Sequence, residues 1–271
     1  MENVLAMPKA KEVFTVFDLE TTGLNYREEQ IVEIAAIRTD LTQELGRMHL
    51  LVTLKDGKKL PDFLVENTDL RDYMLVNGMV EHQALINLMA FIGNSTVVAH
   101  YAPFDFAYLW KALIAPELFL CTRSIERMLT PDQSASLAPT AERRGVKLEG
   151  AHRAMNDIEA TIGVLKSQLE EVEERGIKRS VIQNMIVDSE ERPNQFTPRH
   201  AKVKTKAEFK LEGRRVEVTQ HGTDFGKQGV VLDAYITGRI TGETEGVQVV
   251  IIGADGGGQL IKYGEHTKVI G

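Results

Sequence analysis

Over the first two thirds of the chain, short runs of β-branched and aromatic residues alternate with stretches of helical periodicity; glycine-punctuated β runs fill much of the rest. Alternating apolar positions near 12–19, 31–39 and 46–54 predict three strands joined as a meander. A helical zone follows, with a helix around 79–93, a strand over 96–100 and a helix over 103–114 that carries Pro103 in its first turn. A short strand over 118–121, two short helices and a long helix from about 153 to 175 come next, the last with Ile158, Ile162, Leu165 and Leu169 on its apolar positions. Residues 177–186 add a further short helix. The order predicts an α/β unit over residues 1–187, a mixed sheet flanked by helices.

At about residue 188 the pattern breaks. Ser189-Glu190-Glu191-Arg192-Pro193-Asn194 and Thr197-Pro198-Arg199 read as a polar and basic linker over 188–207. From 208 to 271 the β runs 215–218, 229–232, 248–252 and 266–270 lie between glycines, which predicts a small all-β barrel. The run from Gly213 through Val216-Glu217-Val218, Gly222 and Gly226 to Gly229-Val230-Val231 is similar to the KOW motif of SH3-like barrels. Such modules contact RNA, ribosomal components or proteins. A barrel used for self-association or simple packing is an equal alternative.

The chemistry-bearing residues sit where these elements end. Asp18 and Glu20 close the first strand, two residues apart and therefore on one face, with Leu19 directed into the opposite layer. Asp105 falls in the first turn of the 103–114 helix, where an acid also complements the helix dipole. His152 lies in the loop before the long helix, and Asp157 in that helix's first turns. Taken singly, each has a bland reading as a solvated or capping residue. Together they supply what phosphodiester hydrolysis with two divalent ions requires: several carboxylates to hold the ions and a base of near-neutral pKa to deprotonate water. An oxygen-rich donor set suits Mg²⁺ or Mn²⁺, two ions in all, and with a single cysteine, Cys121, the chain has few good zinc ligands.

The residues resemble the His-containing (DEDDh) branch of the DEDD 3′ to 5′ exonucleases, typified by the proofreading epsilon subunit of bacterial replicative polymerase. Phe17 to Leu24 is similar to that family's first motif, Ile31 to Ile37 to its second strand, Ala99 to Asp105 to its second motif, and His152 with Asp157 to its third. Cys121-Thr122, Leu137-Ala138 and Gly145-Val146 also read like the family, and the likeness covers about residues 12–170. It implies a ribonuclease H-like exonuclease fold in which Asp18, Glu20 and Asp157 hold the catalytic metal, Asp105 acts on the second ion, and His152 is the general base. It further implies that the backbone around Glu20, Thr21 and Thr22 seats the last nucleotide, with Leu24 as an apolar wedge. Phe104 is expected to pack its helix on the sheet, and His100 to be structural. One position departs from the family: Tyr101 stands where Asn is common, and its ring could stack on a base.

Charge alters this picture only slightly. The formal net charge is −7, yet between Arg199 and Arg215 seven basic residues face two acidic ones, a stretch that could track a nucleic-acid backbone or keep a solvated linker extended. One cysteine suits a reducing compartment, and neither a signal peptide nor a membrane-length apolar run is evident, so the expectation is a cytoplasmic enzyme without membrane partners. The expected activity is metal-dependent 3′ to 5′ exonucleolysis of single-stranded or frayed ends, DNA ahead of RNA, releasing nucleoside 5′-monophosphates. Further partners are a protein or a second copy engaged through the barrel. The alternative is an exonuclease fold retired from catalysis that binds or inhibits a nucleic-acid enzyme through its acidic surface.

Overall fold

A computed structural model describes residues 11–148, 153–189, 194, 196–238 and 246–270. Strands β1 (Phe14–Thr21), β2 (Ile31–Thr39) and β3 (Glu44–Leu51) form the expected antiparallel meander. Helices α1 (Asp62–Asn67), α2 (Asp72–Leu75) and α3 (Glu81–Ile92) then lead to β4 (Thr96–Ala99), which pairs parallel to β1. After α4 (Ala102–Trp110), strand β5 (Phe119–Cys121) pairs parallel to β4 and completes a sheet of order β3-β2-β1-β4-β5. Helices α5 (Thr122–Leu129), α6 (Leu137–Arg143) and α7 (Ala154–Glu174) follow.

β1 lies at the centre of this sheet and is apolar on both faces because both are covered. Phe17 and Leu19 join Leu85, Leu88, Phe106 and Tyr108 in one core, while Phe14 and Val16 join Ile125, Ile158 and Leu165 in a second core on the other side. Asp18 and Glu20 share the second face, toward α7, as the alternation along β1 predicts. None of the described helices is long and apolar enough to cross a membrane.

The C-terminal part is more tightly joined than its composition suggests. After α8 (Arg179–Ile182), β6 (Met185–Val187) pairs parallel with β7 (Lys202–Lys204), and α9 (Lys206–Leu211) opens with a capping box between Thr205 and Glu208. The expected short helix at 177–186 is therefore helix only over α8, its last residues being strand. Residues 188–207, expected as a linker, contribute β7 and the start of α9, and their basic residues are partly spent. Lys204 is fully buried between Glu212 and Asp233, and the Lys202 ammonium donates to the Ser180 and Val181 carbonyls. Burial, only partly offset by Asp233, lowers Lys202 to about 8. Neither lysine is placed to track a nucleic-acid backbone.

Strands β8 (Arg215–Val218), β9 (Gln228–Thr237), β10 (Val247–Ala254), β11 (Gln259–Tyr263) and β12 (Thr267–Val269) complete the second sheet. Their order is β12-β8-β9-β10-β11, and β9 also pairs with β7. Val216, Val218, Val231, Ala234, Val250 and Ile252 form its core. Among the described residues no ladder joins β11 to β12, so the expected small barrel is a curled sheet left open. β11 had no counterpart in the sequence pattern, because its Gln259-Leu260-Ile261-Lys262-Tyr263 leaves Ile261 and Tyr263 exposed rather than in a core.

Candidate active site

Three segments deliver carboxylates to one place. β1 presents partly buried Asp18 and Glu20 at its C-terminal end, where the register slips between Glu20 and Thr21 and the strand leaves its partner. α4 starts at the end of the parallel neighbour β4, with Pro103 and buried Asp105 in its first turn. α7 packs along β1 and β2 and brings Asp157 in its first turn, its N–H bonded to the Arg153 carbonyl at 3.0 Å. His152 lies outside the described residues.

The electrostatics register the convergence. Burial, then the charges of Asp105, Glu20, Asp157 and Glu33, raise the Asp18 carboxyl well above the usual carboxylate range. Burial, then Glu33, Asp157 and Asp105, push Glu20 from 4.5 up to about 8. Carboxylates raised by burial and by neighbouring negative charges are a poor arrangement for a cation-free core and a good one for a bound divalent cation, whose charge offsets the repulsion. An all-oxygen donor set fits a hard ion such as Mg²⁺ or Mn²⁺. Among the described residues no three His, Cys, Asp or Glu side chains converge at ligating distance, so these acids form a repelling cluster rather than a closed coordination shell.

Glu33 belongs to this cluster and was not anticipated. It stands opposite Glu20 in the β1–β2 ladder and contacts His49 Nε2 at 2.5 Å. Its signal in the sequence was a lone carboxylate inside the apolar run Ile31-Val32-Glu33-Ile34.

Beside Glu20 opens a cavity of about 370 Å³, lined by Leu19, Thr21, Gly23, Leu24 and Phe104, by Phe63, Leu64 and Asn67 of α1, and by Thr68 just after it. Leu24 is 63% exposed at its mouth. Thr21 and Thr22 shape this loop from within: the Thr21 hydroxyl donates to the Gly23 carbonyl at 2.7 Å, and that of Thr22 donates to Glu29 at 2.5 Å while accepting the Gln30 N–H at 3.0 Å. Both hydroxyls are therefore spent on the loop itself. A side chain at Gly23 would meet the Glu29 carboxyl carbon at 2.8 Å, so a substitution there would require the Glu29 side chain to move. Phe104 packs against the core that joins α4 to the sheet, as expected; it also meets Tyr108 one turn along its own helix, at 5.3 Å, and lines the cavity. The α1 contribution was missed, although Phe63 and Asn67, one turn apart, carried the hint of a shared face.

Tyr101 precedes α4, and the Arg123 guanidinium lies 5.1 Å over its ring, so one ring face already has a cationic partner. His100 is structural: its ring nitrogens sit 2.9 Å from the Thr122 hydroxyl and 3.0 Å from the Ala135 carbonyl.

The sequence profile of the exonuclease family of ribonuclease T type matches residues 15–165, more than half of the chain, a span that includes Asp18, Glu20, Glu33, Asp105 and Asp157. The chain belongs to this exonuclease family. With the mixed sheet just described, it is of the DEDD type with the ribonuclease H-like fold. Among curated relatives of the family, PolC-type DNA polymerase III of Clostridium perfringens is 30% identical over 167 residues, covering 59% of this chain and 11% of that protein. The PolC-type enzyme of Streptococcus pneumoniae strain R6 is 27% identical over 287 residues, 99% of this chain and 19% of that protein. The chain thus spans less than a fifth of these relatives. Among solved exonucleases, a structure of exonuclease I shares the fold with a TM-score of 0.55 at 14% identity, covering 89% of this chain and 55% of that one. A zinc-bound complex of E. coli exonuclease I with single-stranded DNA does so at 0.51 and 17% identity, covering 61% and 42%.

Proposed function

We propose that this exonuclease-family protein is a divalent-metal-dependent 3′ to 5′ exonuclease that removes nucleoside 5′-monophosphates from single-stranded or frayed ends, DNA ahead of RNA. The observation that carries the reading is the elevation of the Asp18 and Glu20 carboxyls by burial and by the charges of Asp105 and Asp157, which come from two further segments. Groups that repel one another in the absence of a cation serve a site whose working state contains one. The preference for DNA rests on likeness to DNA polymerases of the PolC type.

In this reading Asp18, Glu20 and Asp157 would hold one Mg²⁺ or Mn²⁺ ion, and Asp105 together with Asp18 would hold a second. When bound, two such ions lower the pKa of water and neutralise charge at the attacked phosphate. His152 takes the proton of the attacking water. The Leu24 side chain and the loop backbone beside Glu20 seat the terminal nucleotide in the cavity, so that the last phosphodiester lies at the carboxylates.

The deciding experiment uses a 3′-labelled and a 5′-labelled single strand, as DNA and as RNA, in Mg²⁺, Mn²⁺ and EDTA, beside Asp18→Ala and His152→Ala proteins. Metal-dependent loss from the 3′ end, suppressed by both substitutions, is the expected result. Absence of cleavage from folded protein with either metal would instead favour a retired nuclease fold.

A further inference from the structure

The loop that follows β1 is gripped at two points, by α4 and by the residue that caps its C-terminal end. The buried Tyr108 hydroxyl donates to the Gly23 carbonyl at 2.6 Å, sharing that oxygen with the Thr21 hydroxyl. One turn later, Lys111 Nζ donates to the Glu29 carbonyl at 2.7 Å and to Glu81 at 2.8 Å, and lies 5.5 Å over the Tyr108 ring. The loop closes on itself between these points through Thr22 N–H to the Gln30 carbonyl at 2.9 Å. Exposed Leu24 adjoins the first grip, at the mouth of the cavity. Asp105 lies one turn before Tyr108 on the same helix.

Packing alone does not call for this hydroxyl. The Tyr108 ring is surrounded by Phe104 at 5.3 Å and Tyr26 at 6.5 Å within an apolar core, where phenylalanine would fill nearly the same space. A hydroxyl buried there costs solvation unless its partner is well placed. Its partner is the carbonyl that fixes the turn under Leu24.

We propose that Tyr108 is a positioning residue for the terminal nucleotide: its hydroxyl holds the Gly23 carbonyl and so sets Leu24 and the adjoining backbone against the cavity, in register with Asp105 on the same helix. Tyr108 does not itself touch the substrate. The inference rests on the exonuclease reading and adds to it the residue that ties the nucleotide seat to the carboxylates.

The test measures KM and kcat for single-strand cleavage, the Kd for the strand by fluorescence anisotropy, and Tm, for wild type, Tyr108→Phe, Leu24→Ala and the double variant. Loss of one hydrogen bond predicts that Tyr108→Phe raises KM roughly fivefold at nearly constant kcat. The double variant is expected to be no worse than Leu24→Ala, because the two act through one contact. A lowered Tm with unchanged KM would reduce Tyr108 to a packing residue, and strictly additive effects or a fall in kcat alone would equally overturn the proposal. Wild-type protein that binds the strand but does not cut it would sink the hydrolytic reading alone; Kd then replaces KM in the same comparison. Protein that neither binds nor cuts would remove both.

Discussion

Glu20 of β1 stands directly across from Glu33 of β2, two carboxylates on one rung of an antiparallel ladder. Like charges so placed destabilise a sheet. Glu20 responds by rising from 4.5 to about 8, through burial first and Glu33 next. A carboxyl whose folded value lies above its unfolded value contributes stability that is fully present below about 4.5 and is lost as pH rises toward 8. In EDTA, the Tm is therefore expected to fall between pH 5 and pH 8, and saturating Mn²⁺ to flatten that decline. A chelated protein whose Tm rises over the same interval would contradict the repulsion.

The same repulsion sets activity against stability at Asp18, which lies between Asp105, Glu20 and Asp157 in their electrostatic influence. Asp18→Asn removes one charge at nearly constant volume. The metal-free variant is expected to melt above metal-free wild type at pH 8, while its turnover in Mg²⁺ falls by roughly 10²-fold or more, the scale of losing one preorganised electrostatic partner. Thermal shift and turnover on one preparation check both.

Much of this site was legible because its acids mark the ends of regular elements. Asp18 and Glu20 follow an apolar run whose alternation fixes their common face, and Asp105 follows a proline that marks a helix start. Phe63 and Glu33 were not legible, since their significance depends on what α1 and β2 are packed beside rather than on local pattern. The C-terminal sheet was legible as β structure from its glycines, but its attachment was not. Lys202 and Lys204 read as charges of a solvated linker or of a backbone-tracking stretch, because sequence gives no sign that β7, between β6 and β9, buries Lys204 and half-buries Lys202.

Glu126 illustrates a buried charge that is paired. It has no exposed side-chain surface and accepts from Arg143, Arg144 and Gln168, at 2.7, 2.6 and 2.9 Å, so that α5, α6 and α7 meet at one carboxylate. Burial alone would raise its pKa, but bonds from Gln168, Arg143 and Arg144 outweigh burial and hold it below 4.5. A lowered folded value gives stability that is present above the unfolded value of 4.5 and lost as pH falls from there through the lower folded value. Glu126→Gln is expected to cost about 3 kcal/mol at pH 7, since two arginines lose their anion, and to lose less than wild type on acidification. Urea melts at pH 7 and pH 4 measure the difference.

Lys204 is the corresponding element of the second sheet. Its ammonium, without exposed side-chain surface, lies 2.5 Å from both Glu212 and Asp233 and 5.3 Å over the Phe209 ring, so β7, β9 and α9 with its following turn are held by one cation. Removing it leaves two carboxylates together, one of them Asp233 with only 8% of its side chain exposed. Lys204→Met is therefore expected to destabilise by about 3 kcal/mol, the scale for breaking a buried pair from one side. Removing the stranded charge as well, in Lys204→Met with Asp233→Leu, should recover most of that loss, because a well-packed apolar pair can replace a buried ion pair at little cost. Hydrogen exchange separates this from a general weakening of the chain. Amides of β9 should lose protection in the single variant and regain it in the double, while those of β1 and β4, held by a different core, keep theirs throughout. Loss of protection spread equally over both sheets would show that the cation supports the whole fold rather than the junction it occupies.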